Sequence, residues 1–307
     1  MSFSRKLLSA SLATILEAWA GGTSAATAAA PSQSAPQVQI SASQTLQRIA
    51  QADVIRVGYI PTPGTFAFQN LDAETVGYSV DICRQVIGNI RKTLGRPQLQ
   101  IAYRPLKPSE RIPLLKSGEI DIECGGNTNT VGRQKDVDFS HTFFVTGARL
   151  LAHKSFKAEK NGDLWKKRIA VSKSTTAETI VNLLKQEQSV EVVVVATDPE
   201  GLKLVEERKV DAFAQDDILL YGLLAGSQMK SDLIVTGKFM SVEPYAFMLP
   251  KDDLPFRQIV DQTTQSMMRS GEILTLYRKW FDNQALRIPM SSYLKENIRF
   301  PNKYGIP

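Results

Sequence analysis

The sequence has little of what metal and redox chemistry require. Two cysteines, two histidines and three tryptophans are spread through 307 residues. His141 and His153 are not spaced as ligands on one helix, and no Cys/His cluster supports them. Structural or surface roles are expected of both. HExxH, paired CxxC, GxSxG and a complete phosphate loop are all missing, so the common signatures of zinc, hydrolase and nucleotide chemistry are not met. No metal and no cofactor are expected.

A dense basic stripe is also missing. The net charge is +6 and the pI about 9.2, but the longest cluster is only Lys166-Lys167-Arg168. A nucleic-acid binder concentrates Lys and Arg with interleaved aromatics. The basicity reads as general surface charge.

Long apolar runs are scarce. Leu7 to Leu16 is too short to span a bilayer. It follows Arg5 and Lys6 and precedes small-residue patterns such as Ala18-Trp19-Ala20. That order predicts a secretory signal peptide over 1–30 and a periplasmic mature protein. No Cys near the cleavage region offers a lipid anchor. The adjoining segment is rich in Ala, Ser, Pro and Gln, and 31–44 reads as a disordered linker. Cys83 and Cys124 would be free to bond in an oxidising compartment. Spacing leaves two readings open, a disulfide or two buried thiols.

Hydrophobic residues at 43% and charged residues at 22% describe a globular chain with a core. Strand-like β-branched runs alternate with helical spacing: Val54 to Ile60, then a helix over 79–94, then Leu99 to Tyr103, then a helix at Arg111 to Lys116. Strand, helix and strand signals return between Arg168 and Ala214. This grammar predicts mostly parallel α/β sheets in two lobes of similar construction. Helical spacing returns around Ile259 to Phe281, interrupted at Gly271, and 283–307, with three prolines, reads as an irregular C-terminal tail.

Three loops follow predicted strand ends, where open α/β sheets bind ligands. The first is Cys124 to Thr130 with Arg133 beyond it. Glycines such as Gly126 allow close approach, Thr128 offers a hydroxyl, and Arg133 has a fork that fits a carboxylate. The second, Ser172 to Glu178, carries a capping box between Thr175 and Glu178 and free N–H groups near Thr176 that suit an anion. The third holds Asp216 and Asp217, and a carboxylate there can take an ammonium. Together these groups describe a site for an α-amino acid.

These residues and others resemble the bacterial extracellular solute-binding proteins of family 3, the polar amino-acid binding proteins of ABC transporters. The glutamate/aspartate branch is the best match. The resemblance rests on Arg111-Ile112-Pro113-Leu114-Leu115, Glu123-Cys124-Gly125, Asn127-Thr128-Asn129, Arg133-Gln134-Lys135, Ser174-Thr175-Thr176, Asp216-Asp217 and Tyr245 to Leu249, running in order from Thr45 to Phe281. It implies a type II periplasmic-binding-protein fold, two lobes joined by two hinge strands. Lobe one would be 53–144 plus 245–282, and lobe two 145–244. It implies Arg133, Thr128, Thr175 and Thr176 at the ligand carboxylate and Asp216 at the ammonium. It further implies Arg111 near the ligand side chain and Phe66 against the ligand. A membrane permease would be the partner, and the chain would be a monomer.

The sequence also departs from that branch. A basic residue that contacts the ligand's side-chain carboxylate is Ile60 here, a histidine from the second lobe is Pro199, a serine is Gly126, and a small polar residue is Pro108. An unpaired buried carboxylate is costly, so glutamate is expected to bind poorly unless Arg111 compensates. Two other readings are a dehydratase of the cyclohexadienyl or arogenate type, with Glu123 or Asp217 as acid, and a protein that presents ligand to a separate sensor.

Overall fold

The computed structural model describes residues 40–159, 162–284 and 286–305. The expected signal peptide and most of the expected linker lie outside them.

Helix α1 (Gln44–Ala52) is capped by Ser43, whose hydroxyl accepts from the Leu46 N–H. Leu46 and Ile49 are fully buried, so the first lobe starts earlier than residue 53. Strand β1 (Val54–Tyr59) follows, then the short hairpin β2 (Phe68–Gln69) and β3 (Thr75–Val76). Helix α2 (Tyr78–Leu94) begins just after Gly77. Gly77 has φ 140°, and a Cβ there would sit 2.0 Å from the Phe66 carbonyl oxygen, so only glycine fits. The apolar stripe of α2 is the one its spacing predicts: Val80, Cys83, Val86, Ile87 and Ile90 are all fully buried. Such burial contributes roughly 1.5–3 kcal/mol per large side chain. Gly95, in the left-handed region, ends the helix.

Strand β4 (Gln100–Pro105), helix α3 (Arg111–Ser117) and strand β5 (Ile122–Thr128) come next. Strands β4 and β5 flank β1 in parallel. Asp121, fully buried before β5, pairs with Arg48 at 2.8 Å and Arg56 at 3.0 Å, tying α1 and β1 to this sheet. Cys83 and Cys124 are bonded, with alpha carbons 6.1 Å apart. The disulfide fixes α2 to the middle of β5. Two short strands, β6 (Asp138–Phe139) and β7 (Phe144–Thr146), complete this half.

The chain then enters a second sheet. Its elements are β8 (Ala148–His153), β9 (Arg168–Ser172), α4 (Thr176–Gln188), β10 (Glu191–Val195), α5 (Asp198–Glu206), β11 (Ala212–Asp216), α6 (Asp217–Gly226) and β12 (Leu233–Thr236). The strand order is β10-β9-β11-β8-β12. Strand β13 (Glu243–Leu249) returns to the first sheet, whose order is β4-β1-β5-β13-β6, with β7 also on β13. Helices α7 (Leu254–Ser270) and α8 (Glu272–Trp280) close the first core, split at Gly271 as the spacing predicts.

The sheets are parallel over β4-β1-β5 and β10-β9-β11. The remaining pairings are antiparallel. The chain crosses between the lobes twice and comes back in the opposite sense, which sets β13 against β5 and β7. The stretch expected to be irregular contains helix α9 (Ser292–Arg299), capped by Ser291. Leu294 and Ile298, four apart, pack on the first core. Asn297 is buried and donates from Nδ2 to the Thr142 carbonyl at 2.7 Å. Flanking prolines hide this short helix in the sequence. Among the described residues no helix is long and apolar enough to cross a membrane.

Candidate functional site

The parallel strands of both sheets point their carboxyl ends at one cleft. From the first lobe, Ile60 follows β1, Pro108 and Arg111 follow β4, and Gly126 and Thr128 end β5. Arg133 stands on the loop after β5. From the second lobe, Thr175 and Thr176 follow β9, Asp198 follows β10, and Gln215 and Asp216 end β11. Carboxyl ends of strands leave backbone N–H groups and helix N-termini facing the opening, which is why such sites bind polar ligands. Thr62, Leu219 and Tyr245 complete the wall.

Two arginines bridge the cleft. The Arg133 guanidinium donates from Nη1 to the Thr128 carbonyl at 2.9 Å and from Nη2 to the Ser174 carbonyl at 3.3 Å. Arg111, buried at the start of α3, donates from Nη1 to Asn127 Oδ1 and from Nη2 to the same Ser174 carbonyl, both at 2.9 Å. Ser174 can offer its oxygen inward because its backbone is left-handed, at φ 64°. Burial pulls Arg111 down to about 9, and the neighbouring charge of Arg133 adds to that. Burial also lowers Arg133, against the opposing pull of Glu243 and Asp216.

The acids face the opposite pressure. Burial, and then repulsion from Glu243, raises Asp216 well above the usual carboxylate range. Its Oδ2 accepts from the Tyr245 hydroxyl, while Oδ1 is buried without a hydrogen-bond partner. An unpaired buried acceptor is costly, and a cationic donor relieves it. Burial pushes Glu123 up to about 7 despite the Arg111 charge. Glu123 accepts from Asn127 Nδ2 behind Arg111 and does not form the wall. Asp217 is turned the other way, onto the Thr146 hydroxyl. Neither of the acids considered for an enzymatic reading therefore lines the cleft.

The cleft encloses only about 30 Å³, room for two or three water molecules. A solute larger than a few water molecules needs the lobes to part. A larger cavity, about 420 Å³, lies behind the crossing strands among Phe144, Ile218, Phe239 and Tyr277. Among the described residues that line it Asp217 is the one charged group, so it offers a carboxylate no base.

Seven expected residues meet at the cleft: Arg111, Gly126, Thr128, Arg133, Thr175, Thr176 and Asp216. Phe66 does not. It is fully buried one layer back, 5.2 Å from the Tyr245 ring, in a cluster with Tyr78, Phe144 and Phe281. Its own apolar contacts draw it there, and Tyr245 occupies the wall instead. The Tyr245 ring also accounts for Gly126, because a Cβ at that position would lie 2.5 Å from Tyr245 Cε2. Ile60 and Pro108 line the cleft, whereas Pro199 is exposed in the first turn of α5 and its neighbour Asp198 is the wall residue. Sequence reasoning missed Thr62, Asp198, Gln215, Leu219 and Tyr245. A buried-strand pattern running into Gln215-Asp216 was the one available signal for Gln215.

Two lobes, two crossings and a cleft with a base and an acid on opposite sides define a protein that closes around a small polar solute. The chain belongs to the bacterial extracellular solute-binding proteins, family 3, whose family model matches residues 55–283. It is 34% identical over 269 residues to the glutamate/aspartate import solute-binding protein of Escherichia coli (strain K12), covering 85% of this chain and 89% of that one. It is 32% identical over 277 residues to the L-glutamate/L-aspartate-binding protein of Pseudomonas aeruginosa, covering 87% and 92%. A crystal structure of a mutant ArgBP from T. maritima superposes with a TM-score of 0.69 at 23% identity, covering 78% of this chain and all of that one. The fold is the type II periplasmic-binding-protein fold.

Proposed function

We propose that this chain is the extracytoplasmic substrate-binding component of an amino-acid ABC transporter. One observation carries the reading: Arg133 and Asp216, from opposite lobes, line a single cleft. Arg133 takes the ligand α-carboxylate, with Thr128 and the N–H groups at Thr175 and Thr176 beside it. Asp216 takes the α-ammonium through the oxygen that has no partner. The names of the Escherichia coli and Pseudomonas aeruginosa relatives support transport rather than turnover.

The crossings at 145–147 and 244–246 act as the hinge. Strands β7 and β13 pair there, Pro244 opposite Val145, so a small rotation of each moves one lobe against the other. The lobes are 53–144 plus 245–282, with α1 and α9 added, and 145–244. Closure around the ligand makes a surface that a membrane permease recognises, and the protein works as a periplasmic monomer.

Calorimetric titration of the purified chain with the common amino acids tests this. At least one should bind with micromolar or tighter affinity, about −8 kcal/mol or better. If no zwitterion binds, the reading is wrong.

A further inference from the structure

The wall residue Asp198 has no part in gripping the common amino-acid groups. Its Oδ1 accepts from the Ser172 hydroxyl at 2.5 Å and from Gln215 Nε2 at 2.9 Å. Gln215 Oε1 in turn accepts the Asp216 N–H at 3.0 Å. One oxygen is thus held by two donors, which fixes the carboxylate plane. No donor among the described residues reaches Oδ2, and the residue lines the cleft. This is a positioned acceptor with spare capacity, facing the space beside the proposed ammonium site.

The charge balance of the cleft points the same way. On the wall Asp198 and Asp216 face Arg111 and Arg133, with Glu123 and Glu243 buried nearby. Glu123, Asp216 and Glu243 are each at most 3% exposed. Burial raises Asp198 even with its two hydrogen bonds. With Arg133 and Asp216 taken by the common groups, a ligand side chain meets Asp198 and Arg111, and a donor there fits the open oxygen of Asp198 whereas a carboxylate is repelled by it. Arg111, the one base left for a side-chain carboxylate, is held by the Asn127 side chain and the Ser174 carbonyl through Nη1 and Nη2, its unpartnered Nε is fully buried, and Glu123 lies close to it. Ile60 and Pro108 supply no other base.

We infer that the ligand is an amino acid whose side chain ends in N–H donors, held by Asp198 with Gln215 as its positioning residue, and not an acidic amino acid. This rests on the amino-acid reading above and narrows it. The donor group is a carboxamide or a cation, and the titration separates the two.

The purified full chain is titrated with glutamine, asparagine, lysine, arginine, glutamate and aspartate. At least one of the first four should bind tenfold or more tightly than both acids. Tightest binding by glutamine or asparagine assigns a carboxamide, and by lysine or arginine a cation. Asp198→Asn should shrink the ratio of best donor ligand to glutamate at least tenfold. Gln215→Met, which frees Asp198 Oδ1 from one tether, should shrink it less. Glutamate or aspartate binding as tightly as every donor ligand overturns the inference and leaves the amino-acid reading standing. So does an unchanged ratio in a folded Asp198→Asn protein. Binding by none of the six and by no other amino acid overturns both, and binding only by an amino acid outside the six overturns the inference alone.

Discussion

Replacing Arg133 by alanine removes the group proposed to hold the ligand carboxylate. The side chain reaches the cleft through two N–H groups, Nη1 on the Thr128 carbonyl at 2.9 Å and Nη2 on the Ser174 carbonyl at 3.3 Å. A ligand carboxylate that takes both gains two charge-assisted bonds at roughly 1.5–3 kcal/mol each. Their loss costs about 3–6 kcal/mol, or roughly 10² to 10⁴ in Kd. The folded chain loses less. Ser174 is exposed, so the carbonyl of buried Thr128 is the one acceptor that loses its donor out of water, and stability should fall by about 1–3 kcal/mol. Arg133→Lys keeps the charge without the planar fork and should lie between the two. Calorimetry with the best ligand, and denaturant unfolding of the same preparations, measure the two effects separately. A well-folded Arg133→Ala protein that binds within threefold of wild type refutes the assignment.

Three further outcomes are expected from particular contacts. The Cys83–Cys124 disulfide closes a loop of 41 residues, worth about 4 kcal/mol by the chain-entropy account. The Cys83→Ala/Cys124→Ala protein should melt several degrees lower, and an unchanged melting temperature would contradict the role given to the bond. Glu123 sits near 7 when folded, against an ordinary 4.5. The folded chain therefore holds a proton that the unfolded chain releases, so this contribution is full below about 4.5 and is lost as pH rises through about 7. Unfolding midpoints of wild type should fall between pH 5 and pH 8, and Glu123→Gln should flatten that decline; equal slopes would argue against the burial effect. Gly126→Ser places a Cβ 2.5 Å from the Tyr245 ring. Overpacking of this kind costs about 1–3 kcal/mol, read as a lower melting temperature, and a neutral result would mean that Tyr245 moves freely.

Much of the site was legible because it depends on local chemistry. The Thr175 cap is where the S/T-x-x-E spacing places it, with the Glu178 N–H donating to the Thr175 hydroxyl at 3.2 Å. The reciprocal bond goes to the Ser174 N–H at 2.6 Å, one residue earlier than the motif implies, because Ser174 is left-handed. The stripe of α2 and the break at Gly271 were legible for the same reason, since spacing alone decides which face of a helix is apolar. Phe66 shows the limit. An aromatic in a loop near a strand end fits a ligand wall and a core equally well, and only the positions of Tyr78, Phe144 and Tyr245 around it decide.

By itself the sequence determined the elements, the strand-end loops and the groups they carry, among them the guanidinium of Arg133 and the carboxylate of Asp216. Periodicity, capping and side-chain chemistry act over a few residues, so they can be read along the chain. The tertiary structure alone decided which cysteine reading holds, that Asp217 faces away from the cleft, and that Tyr245 presses on Gly126. It also decided that Asp198, Ser172 and Gln215 form one bonded group. Ser172 and Gln215 lie at the ends of neighbouring strands β9 and β11, and Asp198 opens α5 just after β10. Their contact exists only once the sheet has set its strand order and register, which no short-range spacing encodes.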